Sequence, residues 1–149
     1  MKKFLSSRVF SIILFAFVAI GAYFINVEVQ SYWGRQAIAK AALTNLPLAE
    51  ALSKAKAENK LVLVDVSAIW CSTCRRLDND VFSDATVKQT INEKFLFSRL
   101  EYESPEGTVF LEKHHATGFP NLWLLDGNGN VVKRLQVTFD PTDFLNQLP

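Results

Sequence analysis

The sequence predicts an α/β domain, a central mixed β-sheet flanked by helices, with a separate apolar helix ahead of it. Three observations lead to this prediction. Beyond residue 46, apolar residues recur with helical and with strand spacing in alternating segments. A Gly-Asn-Gly-Asn stretch at 127–130, typical of a tight hairpin, separates two short strand patterns. Residues 9–25 carry no charge and follow three basic residues, as in a membrane-spanning helix.

The composition is that of one globular domain and argues against a nucleic-acid partner. The 149 residues are 49% hydrophobic and 21% charged, which suffices for a buried core. Three of the 16 basic residues, Lys2, Lys3 and Arg8, precede every acidic residue, so the rest of the chain carries 13 basic and 15 acidic side chains. Because nucleic-acid-binding proteins present concentrated positive charge, we expect no nucleic acid as a partner.

Residues 1–25 are predicted to form a signal anchor or a signal peptide. The 17 uncharged residues at 9–25 would span about 25 Å as a helix, the short end of what crosses a bilayer. Small residues near Ala22 offer a cleavage site, whereas Tyr23 and Phe24 resemble interfacial aromatic residues. The basic N-terminus is expected in the cytoplasm. The protein would then be single-pass in the bacterial inner membrane with its C-terminal domain in the periplasm, or secreted to the periplasm after cleavage.

Residues 26–46 are predicted to be a tether and residues 47–149 the folded domain. An alanine-rich stretch at 36–43 is compatible with a helix inside the tether. Tyr32 and Trp33 could lie at the membrane interface or pack against the domain, and the sequence leaves both interpretations open.

The first half of the domain should contain a helix, a strand and two further helices. Apolar residues at i, i+3, i+4 and i+7 predict an amphipathic helix over 48–59. The apolar, β-branched run at 61–67 is typical of a buried strand. A helical pattern begins at Ser72, and a Ser-Asp cap at 83–84 introduces the next helix, which is expected to end near Ile91.

The second half should contain three strands and two helices. Residues 95–102 alternate as a strand, and Pro-Glu opens a helix over 105–115. Strands at 121–125 and 131–137 flank the hairpin signal, and an Asp-Pro-Thr cap begins a closing helix over 140–148. A βαβ unit followed by a hairpin and a helix predicts helices packed around one mixed sheet.

The only two cysteines, Cys71 and Cys74, lie where the first strand gives way to a helix. Cys71 should lie near the free N–H groups of that helix, which stabilise a thiolate, and Cys74 one turn further on the same face. A zinc site needs four ligands, and the histidines His114 and His115 are adjacent on a predicted helix, so we expect no metal and no cofactor. A structural disulfide across so short a loop would stabilise little. The pattern therefore favours a redox-active pair.

The residues around the pair carry a family resemblance. The stretch Trp-Cys-Ser-Thr-Cys at 70–74, with Asp65 six positions before the first cysteine and Gly-Phe-Pro at 118–120 ahead of a strand, resembles the thioredoxin superfamily. Residues 48–149 are most similar to the C-terminal thioredoxin-like domain of the DsbD family of thiol:disulfide interchange proteins. This resemblance implies a thioredoxin fold.

The resemblance also implies roles for individual residues. Cys71 resembles the exposed nucleophile that attacks a substrate disulfide, and Cys74 resembles the thiol that resolves the mixed disulfide, so that the two form a redox-active disulfide. Trp70 resembles an aromatic shield beside the pair. Pro120, preceded by Phe119, resembles the cis-proline that faces the pair and leaves the neighbouring backbone free to bind an extended substrate.

Asp65 resembles the buried carboxylate beneath the active site in this family. An unpaired ionised carboxylate is costly in a core, and burial favours its protonated form. Asp65 is therefore a candidate catalytic residue that takes the proton from Cys74. A salt-bridged Asp65 with a purely structural role remains the alternative.

Two features depart from the pattern of thioredoxins. Glu101 and Glu103 occupy the second strand, where thioredoxins often carry a lysine, which leaves the partner of the buried carboxylate open. Arg75 and Arg76 follow the pair, and their positive charge is expected to favour the thiolate of Cys71.

These observations predict a membrane-tethered, extracytoplasmic thiol:disulfide oxidoreductase, a reductase or electron relay. A disulfide oxidase or isomerase, or a non-catalytic binding module with the same fold, are the alternatives. The expected partners are disulfide-bearing protein substrates and the membrane, through residues 9–25. Because the sequence has one span at most, the electron source would be a separate membrane or thioredoxin-like redox protein.

Overall fold

The structure is a computed structural model that describes the backbone of residues 2–149 and the side chains of residues 8–149. The side chains of Lys2 and Lys3, which the sequence analysis uses to orient the N-terminal helix, lie outside the described residues. The elements follow in the predicted order: α1 (Lys2–Ala41), α2 (Leu48–Glu58), β1 (Leu61–Ser67), α3 (Ser72–Leu77) continued by a π-helical turn (Asp78–Phe82), α4 (Ala85–Lys94), β2 (Phe95–Glu101), α5 (Pro105–Lys113), β3 (Asn121–Leu125), β4 (Val131–Leu135) and α6 (Pro141–Leu145).

One four-stranded mixed sheet with the order β2-β1-β3-β4 organises the domain. β1 pairs in parallel with β2 and antiparallel with β3, and β3 and β4 form the predicted antiparallel hairpin. Each face of the sheet buries its own apolar cluster, because successive side chains of a strand point to opposite faces. On β1, Leu63 belongs to one cluster, whereas Val62, Val64 and Val66 belong to the other. The predicted thioredoxin fold is confirmed.

The N-terminal helix α1 has two halves with different surroundings. Among the described residues it is the one helix long and apolar enough to cross a membrane, and none of its apolar window is buried in the protein. Beyond that window the helix continues without interruption and packs on the domain, where Ser31, Ala37 and Ala41 are buried. The stretch 26–41, expected to be part of a tether, is therefore helical and contacts the domain.

Some elements end earlier than the sequence patterns suggest. The strand predicted to reach residue 137 ends at Leu135, and the last helix ends at Leu145 rather than 148. The side chain of Gln147 lies against the end of β4: it accepts a hydrogen bond from the N–H of Gln136 at 2.6 Å and donates one to the carbonyl of Gln136 at 3.1 Å. A side-chain amide thus replaces the strand partner that would have extended β4.

The predicted cap of α4 is present. The Asp84 carboxylate accepts hydrogen bonds from the N–H groups of Thr86 and Val87 at 2.9 and 3.0 Å. These two N–H groups would otherwise lack partners in the first turn of the helix.

Candidate redox site

Cys71 lies at the junction of β1 and α3, as the sequence predicts. It is the N-cap residue of α3, with extended backbone angles, and its sulfur accepts a hydrogen bond from the N–H of Cys74 at 3.1 Å. A sulfur in this position faces the positive end of the helix and receives one of its free N–H groups, both of which stabilise a thiolate.

Cys74 lies one turn further along α3 and is buried, with 3% of its surface exposed. Burial raises the pKa of its thiol well above the usual value, and the interaction with Cys71 raises the pKa further. The two sulfur atoms therefore occupy different environments: Cys71 faces the start of α3 and accepts one of its N–H groups, whereas Cys74 is buried and held as a thiol.

An aromatic cover over the cysteines corrects one expectation. The family resemblance implies an exposed Cys71, but only 7% of its surface is exposed. Trp70, Tyr102 and Phe119 pack against the two cysteines. Phe119 lies edge-on to Trp70 at 5.2 Å and to Tyr102 at 4.5 Å between ring centroids. Since these rings come from three separate segments, the cover could not be read from the sequence around Cys71.

The loop before β3 brings Phe119 and Pro120 to the site. The Phe119–Pro120 peptide bond is cis, the configuration that the family resemblance implies. Gly118 adopts a positive φ of 74°, which glycine accommodates without a side-chain clash. Asn121 braces the loop, because its side-chain amide donates to the carbonyls of Thr117 and Gly118 at 3.2 and 2.7 Å.

Asp65 is fully buried and ion-paired with Arg99, a partner that the sequence analysis did not identify. Arg99 lies directly opposite Asp65 in the parallel register of β1 and β2, and its Nε donates to Asp65 Oδ2 at 2.8 Å. The hydroxyl of Ser67 donates to the other carboxylate oxygen. The salt-bridged state of Asp65 that the sequence analysis kept as an alternative is the one in the structure.

The same guanidinium holds a second buried carboxylate, Asp78. Both terminal nitrogens of Arg99 donate to Asp78, and only 11% of the Arg99 side chain is exposed. Burial raises the pKa of Asp78 to about 6, although Arg99 opposes the shift. Burial by itself would lower the pKa of Arg99, but the two carboxylates outweigh it and raise that pKa. Arg99 thus bridges two buried carboxylates beneath the cysteines.

A cavity of about 10 Å³ connects this cluster with Cys74. Cys74, Asp78 and Arg99 line it, together with Gly34 and Ile38 of α1. Its volume is close to the lower limit for holding one water molecule. Asp78 follows Cys74 by four residues, so both side chains lie on the same face of the helical segment.

Glu101 and Glu103 form hydrogen bonds with the residues just before Cys71 and not with Asp65. Glu101 and Glu103 contact the segment before Cys71: Glu101 accepts from the N–H of Ile69 at 3.1 Å, and Glu103 accepts from the indole N–H of Trp70 at 3.3 Å. Burial raises the pKa of Glu101. These carboxylates therefore anchor the loop before Cys71 rather than pair with Asp65.

The two arginines after the pair also have partners other than Cys71. Arg75 donates a hydrogen bond to the side chain of Gln30 in α1 at 2.6 Å. Its guanidinium carbon lies 5.2 Å from the centroid of the Trp33 ring. Arg76 pairs with Asp80, four residues further along the chain, at 3.1 Å. We expected the charge of Arg75 and Arg76 to favour the thiolate of Cys71, but the contacts of the two guanidinium groups are with other residues. Among the residues with described side chains, no three potential metal ligands come together either.

Sequence reasoning missed Arg99, Asp78 and Tyr102, but two of them left a signal. Asp65 and Arg99 are each the fifth residue of their predicted strand, so an in-phase parallel register places them side by side. Asp78 falls on the cysteine face of the helical pattern. Tyr102 gave no such signal, because its approach to Phe119 depends on how two distant loops pack.

Comparisons with known proteins agree with this geometry. A family model described as thioredoxin-like matches residues 42–127. The chain is 31% identical over 109 residues to the thiol:disulfide interchange protein DsbD of Yersinia pestis, a match that covers 71% of this chain but only 18% of that protein. A solved structure of a candidate disulphide-isomerase from Bacteroides thetaiotaomicron is 33% identical, with a TM-score of 0.62, and the match covers 71% of this chain and 88% of that one. The C-terminal domain of DsbD from Neisseria meningitidis has the same fold, with 20% identity, a TM-score of 0.58 and coverage of 71% and 96%. The chain therefore belongs to the thioredoxin-like family of thiol:disulfide oxidoreductases.

Proposed function

We propose that this protein is a membrane-anchored, extracytoplasmic protein-disulfide reductase or electron relay that works through Cys71 and Cys74. The observation that carries the proposal is the unequal pair: the sulfur of Cys71 accepts the N–H of Cys74 at a helix N-terminus, whereas the thiol of Cys74 is buried and its pKa is raised. Such a pair supports an ordered exchange, with one attacking and one resolving sulfur.

In the first step, the Cys71 thiolate attacks one sulfur of a substrate disulfide. A bond forms between Cys71 and that sulfur, the substrate disulfide breaks, and the other substrate sulfur leaves as a thiolate that takes up a proton. Trp70 and Phe119 cover Cys71, and we infer that they contact the substrate, together with the backbone beside Pro120.

In the second step, Cys74 loses its proton and attacks the sulfur of Cys71. The Cys71–Cys74 disulfide forms and the second substrate thiol is released, so two electrons pass from the protein to the substrate. Because the pKa of Cys74 is raised, this step needs a proton acceptor. We infer that the cluster of Asp65, Arg99 and Asp78 supplies this acceptor. Asp78 is the residue that takes the proton, because it shares the small cavity with Cys74.

We infer the reducing direction from the resemblance of residues 48–149 to the DsbD family and from the similarity of the chain to the DsbD of Yersinia pestis. The reduction potential of the pair decides this direction, because it sets whether the dithiol passes electrons to its partner. The similarity to a protein named as a disulphide-isomerase supports isomerisation as a second candidate.

The membrane placement rests on the exposed apolar stretch of α1. A single span in the inner membrane with the domain in the periplasm accounts for this surface and for cysteines that form a disulfide. A reporter fused after Pro149 should then be active only outside the cytoplasm, and activity in the cytoplasm would contradict the placement.

The test of the activity is insulin reduction by the purified full chain in detergent, combined with the reduction potential of the pair. The proposal predicts insulin reduction that is lost in Cys71→Ser, and a potential at or below roughly −200 mV. A potential above roughly −150 mV would indicate an oxidase. If the protein restores the native disulfides of a scrambled protein faster than it reduces insulin, the isomerase is favoured.

A further inference from the structure

The docked half of α1 lies outside the part of the chain that the family model matches. That model begins at residue 42, whereas α1 ends at Ala41. Nevertheless, the helix packs closely against the end of the domain that carries Cys71 and Cys74, here called the redox end. A Cβ atom added at Gly34 would lie 2.0 Å from the carbonyl oxygen of Ile69, two residues before Cys71. Only glycine permits this approach, so α1 is fitted to the loop of the nucleophile.

The contacts of α1 follow one another in order along the helix and fix its direction relative to the site. Tyr23 and Phe24 share a cleft with Trp70, the residue before Cys71. At the other end of the docked stretch, the Lys40 ammonium donates to the carbonyl of Asn79 at 3.3 Å. Sixteen residues separate Phe24 from Lys40, which is about 24 Å of helix.

The contacts between these two ends lie at intermediate heights. Gln30 binds Arg75 at 2.6 Å, and Gly34 meets the loop at Ile69. The carbonyl of Lys40 also accepts from the ammonium of Lys88 at 3.3 Å, so Lys88 lies at the end of α1 away from the apolar run. The redox end of the domain is thus the end closer to the apolar half of α1.

The position of the site along α1 places it at the membrane surface. The uncharged run ends at Ile25, and Gln30 follows by five residues, which is about 8 Å of helix. Each headgroup layer of a bilayer is about 5–8 Å thick. A helix tilt of about 20° would change this height by less than a tenth. The segment around Trp70 therefore falls within or just above the headgroup layer.

The surface of the site suits that layer. A cleft of about 360 Å³ opens between α1 and the domain, with Tyr23, Phe24 and Val27 on one side and Trp70 and Glu103 on the other. Aromatic side chains with a polar edge are favoured at the lipid–water interface. Because the cleft reaches from the apolar half of α1 to Trp70, a chain that leaves the bilayer beside α1 meets the residue that covers Cys71.

We propose that α1 is a rigid spacer that holds Cys71 and Cys74 at the membrane surface and restricts their partners to membrane proteins whose reactive cysteine lies in the same layer. The segment of such a partner next to its cysteine occupies the cleft between α1 and Trp70. This inference rests on the proposed redox function of the pair, and the exchange of electrons is the one described above.

The first experiment measures the position of the site. In a Cys71→Ser/Cys74→Ser background, a fluorophore is attached through Glu103→Cys or, as the matched control, through Lys88→Cys, and the full chain is placed in nanodiscs with nitroxide-labelled headgroups. The label at position 103 should be quenched at least threefold more strongly than the label at position 88. Equal quenching, or stronger quenching at position 88, would overturn the proposal.

The second experiment changes the length of the spacer. A seven-residue polar helical insertion between Ile25 and Asn26 raises the domain by about 10 Å and nearly preserves its rotation about the helix. In a Cys74→Ser background, the insertion should reduce the yield of mixed disulfides with membrane proteins at least tenfold. The same seven residues appended after Pro149 should leave that yield unchanged.

Insulin reduction separates this inference from the proposed function. With both cysteines intact, the insertion variant in detergent should reduce insulin within twofold of the unmodified chain, since insulin approaches from solution. If insulin is reduced but the insertion leaves the trapped partners unchanged, or if the trapped partners are soluble proteins, the spacer inference is wrong and the redox function stands. If the unmodified chain does not reduce insulin, the proposed function is wrong, and the quenching experiment still decides the position of the site.

Discussion

Replacing Gly34 with alanine should separate α1 from the redox end of the domain. The added methyl group would lie 2.0 Å from the carbonyl oxygen of Ile69 and 3.1 Å from its carbonyl carbon. A backbone carbonyl cannot rotate out of the way as a flexible side chain can. Either the loop before Cys71 shifts or the helix gives up its contacts, and both lower the free energy of unfolding.

The size of the effect follows from two opposing contributions. Alanine stabilises a helix by about 1 kcal/mol relative to glycine. Overpacking a close contact costs about 1–3 kcal/mol, and a clash with backbone belongs at the upper end of that range. We therefore expect Gly34→Ala to lose about 2 kcal/mol net, which lowers the Tm of a domain of about 100 residues by roughly 8 °C or more.

Gly21 provides the matched control, because it lies in the same helix and an added Cβ has nothing within 4 Å. Thermal unfolding of each full-length variant in nanodiscs is followed by near-UV circular dichroism. The Tm should be lower for Gly34→Ala and unchanged for Gly21→Ala. Equal Tm values for the two variants would refute the close docking of α1 on which the spacer inference depends.

Three further variants test the buried ion cluster and the local helix caps. Arg99→Met leaves two buried carboxylates unpaired and should cost about 3–5 kcal/mol at pH 7.5 by urea unfolding. The loss should be smaller at pH 5, because Asp78, with its pKa raised to about 6, is then protonated and needs no cationic partner; an equal loss would contradict this. Asp78→Asn should slow resolution by Cys74 about 100-fold or more above pH 6 in stopped-flow assays with a model disulfide, without slowing the first step. Unchanged resolution would exclude Asp78 as the proton acceptor. Asp84→Ala should lose about 1 kcal/mol, since it removes the cap of α4, and an unchanged urea midpoint would contradict that role.

The local parts of the fold could be predicted from the sequence because their causes are local. The strand β1, the capped start of α4 and the place of Cys71 at a helix N-terminus each depend on a few neighbouring residues. Apolar spacing, a capping side chain and a change of period are visible without knowledge of the tertiary structure. The family resemblance added the cis configuration before Pro120, which no local pattern predicts.

The chemistry beneath the cysteines could not be predicted in the same way, because it depends on the register between strands. The pairing of Asp65 with Arg99 exists only in the in-phase parallel register of β1 and β2. Glu101 and Glu103, which stand where thioredoxins often carry a lysine, therefore left the partner of Asp65 open at the level of the sequence. The low exposure of Cys71 likewise depends on Tyr102 and Phe119, which reach it from distant segments.

The most direct test of the central claim, that Cys71 attacks and Cys74 resolves, compares two single substitutions in the full chain. Partners attached through a disulfide can be counted on non-reducing gels after acid quenching of cells that express each variant. Cys74→Ser should accumulate mixed disulfides, because the attacking sulfur at the start of α3 remains but nothing releases the substrate. Cys71→Ser should accumulate few or none, because the remaining thiol is buried and its pKa is raised. Equal trapping by both variants, or by neither, would contradict the ordered exchange.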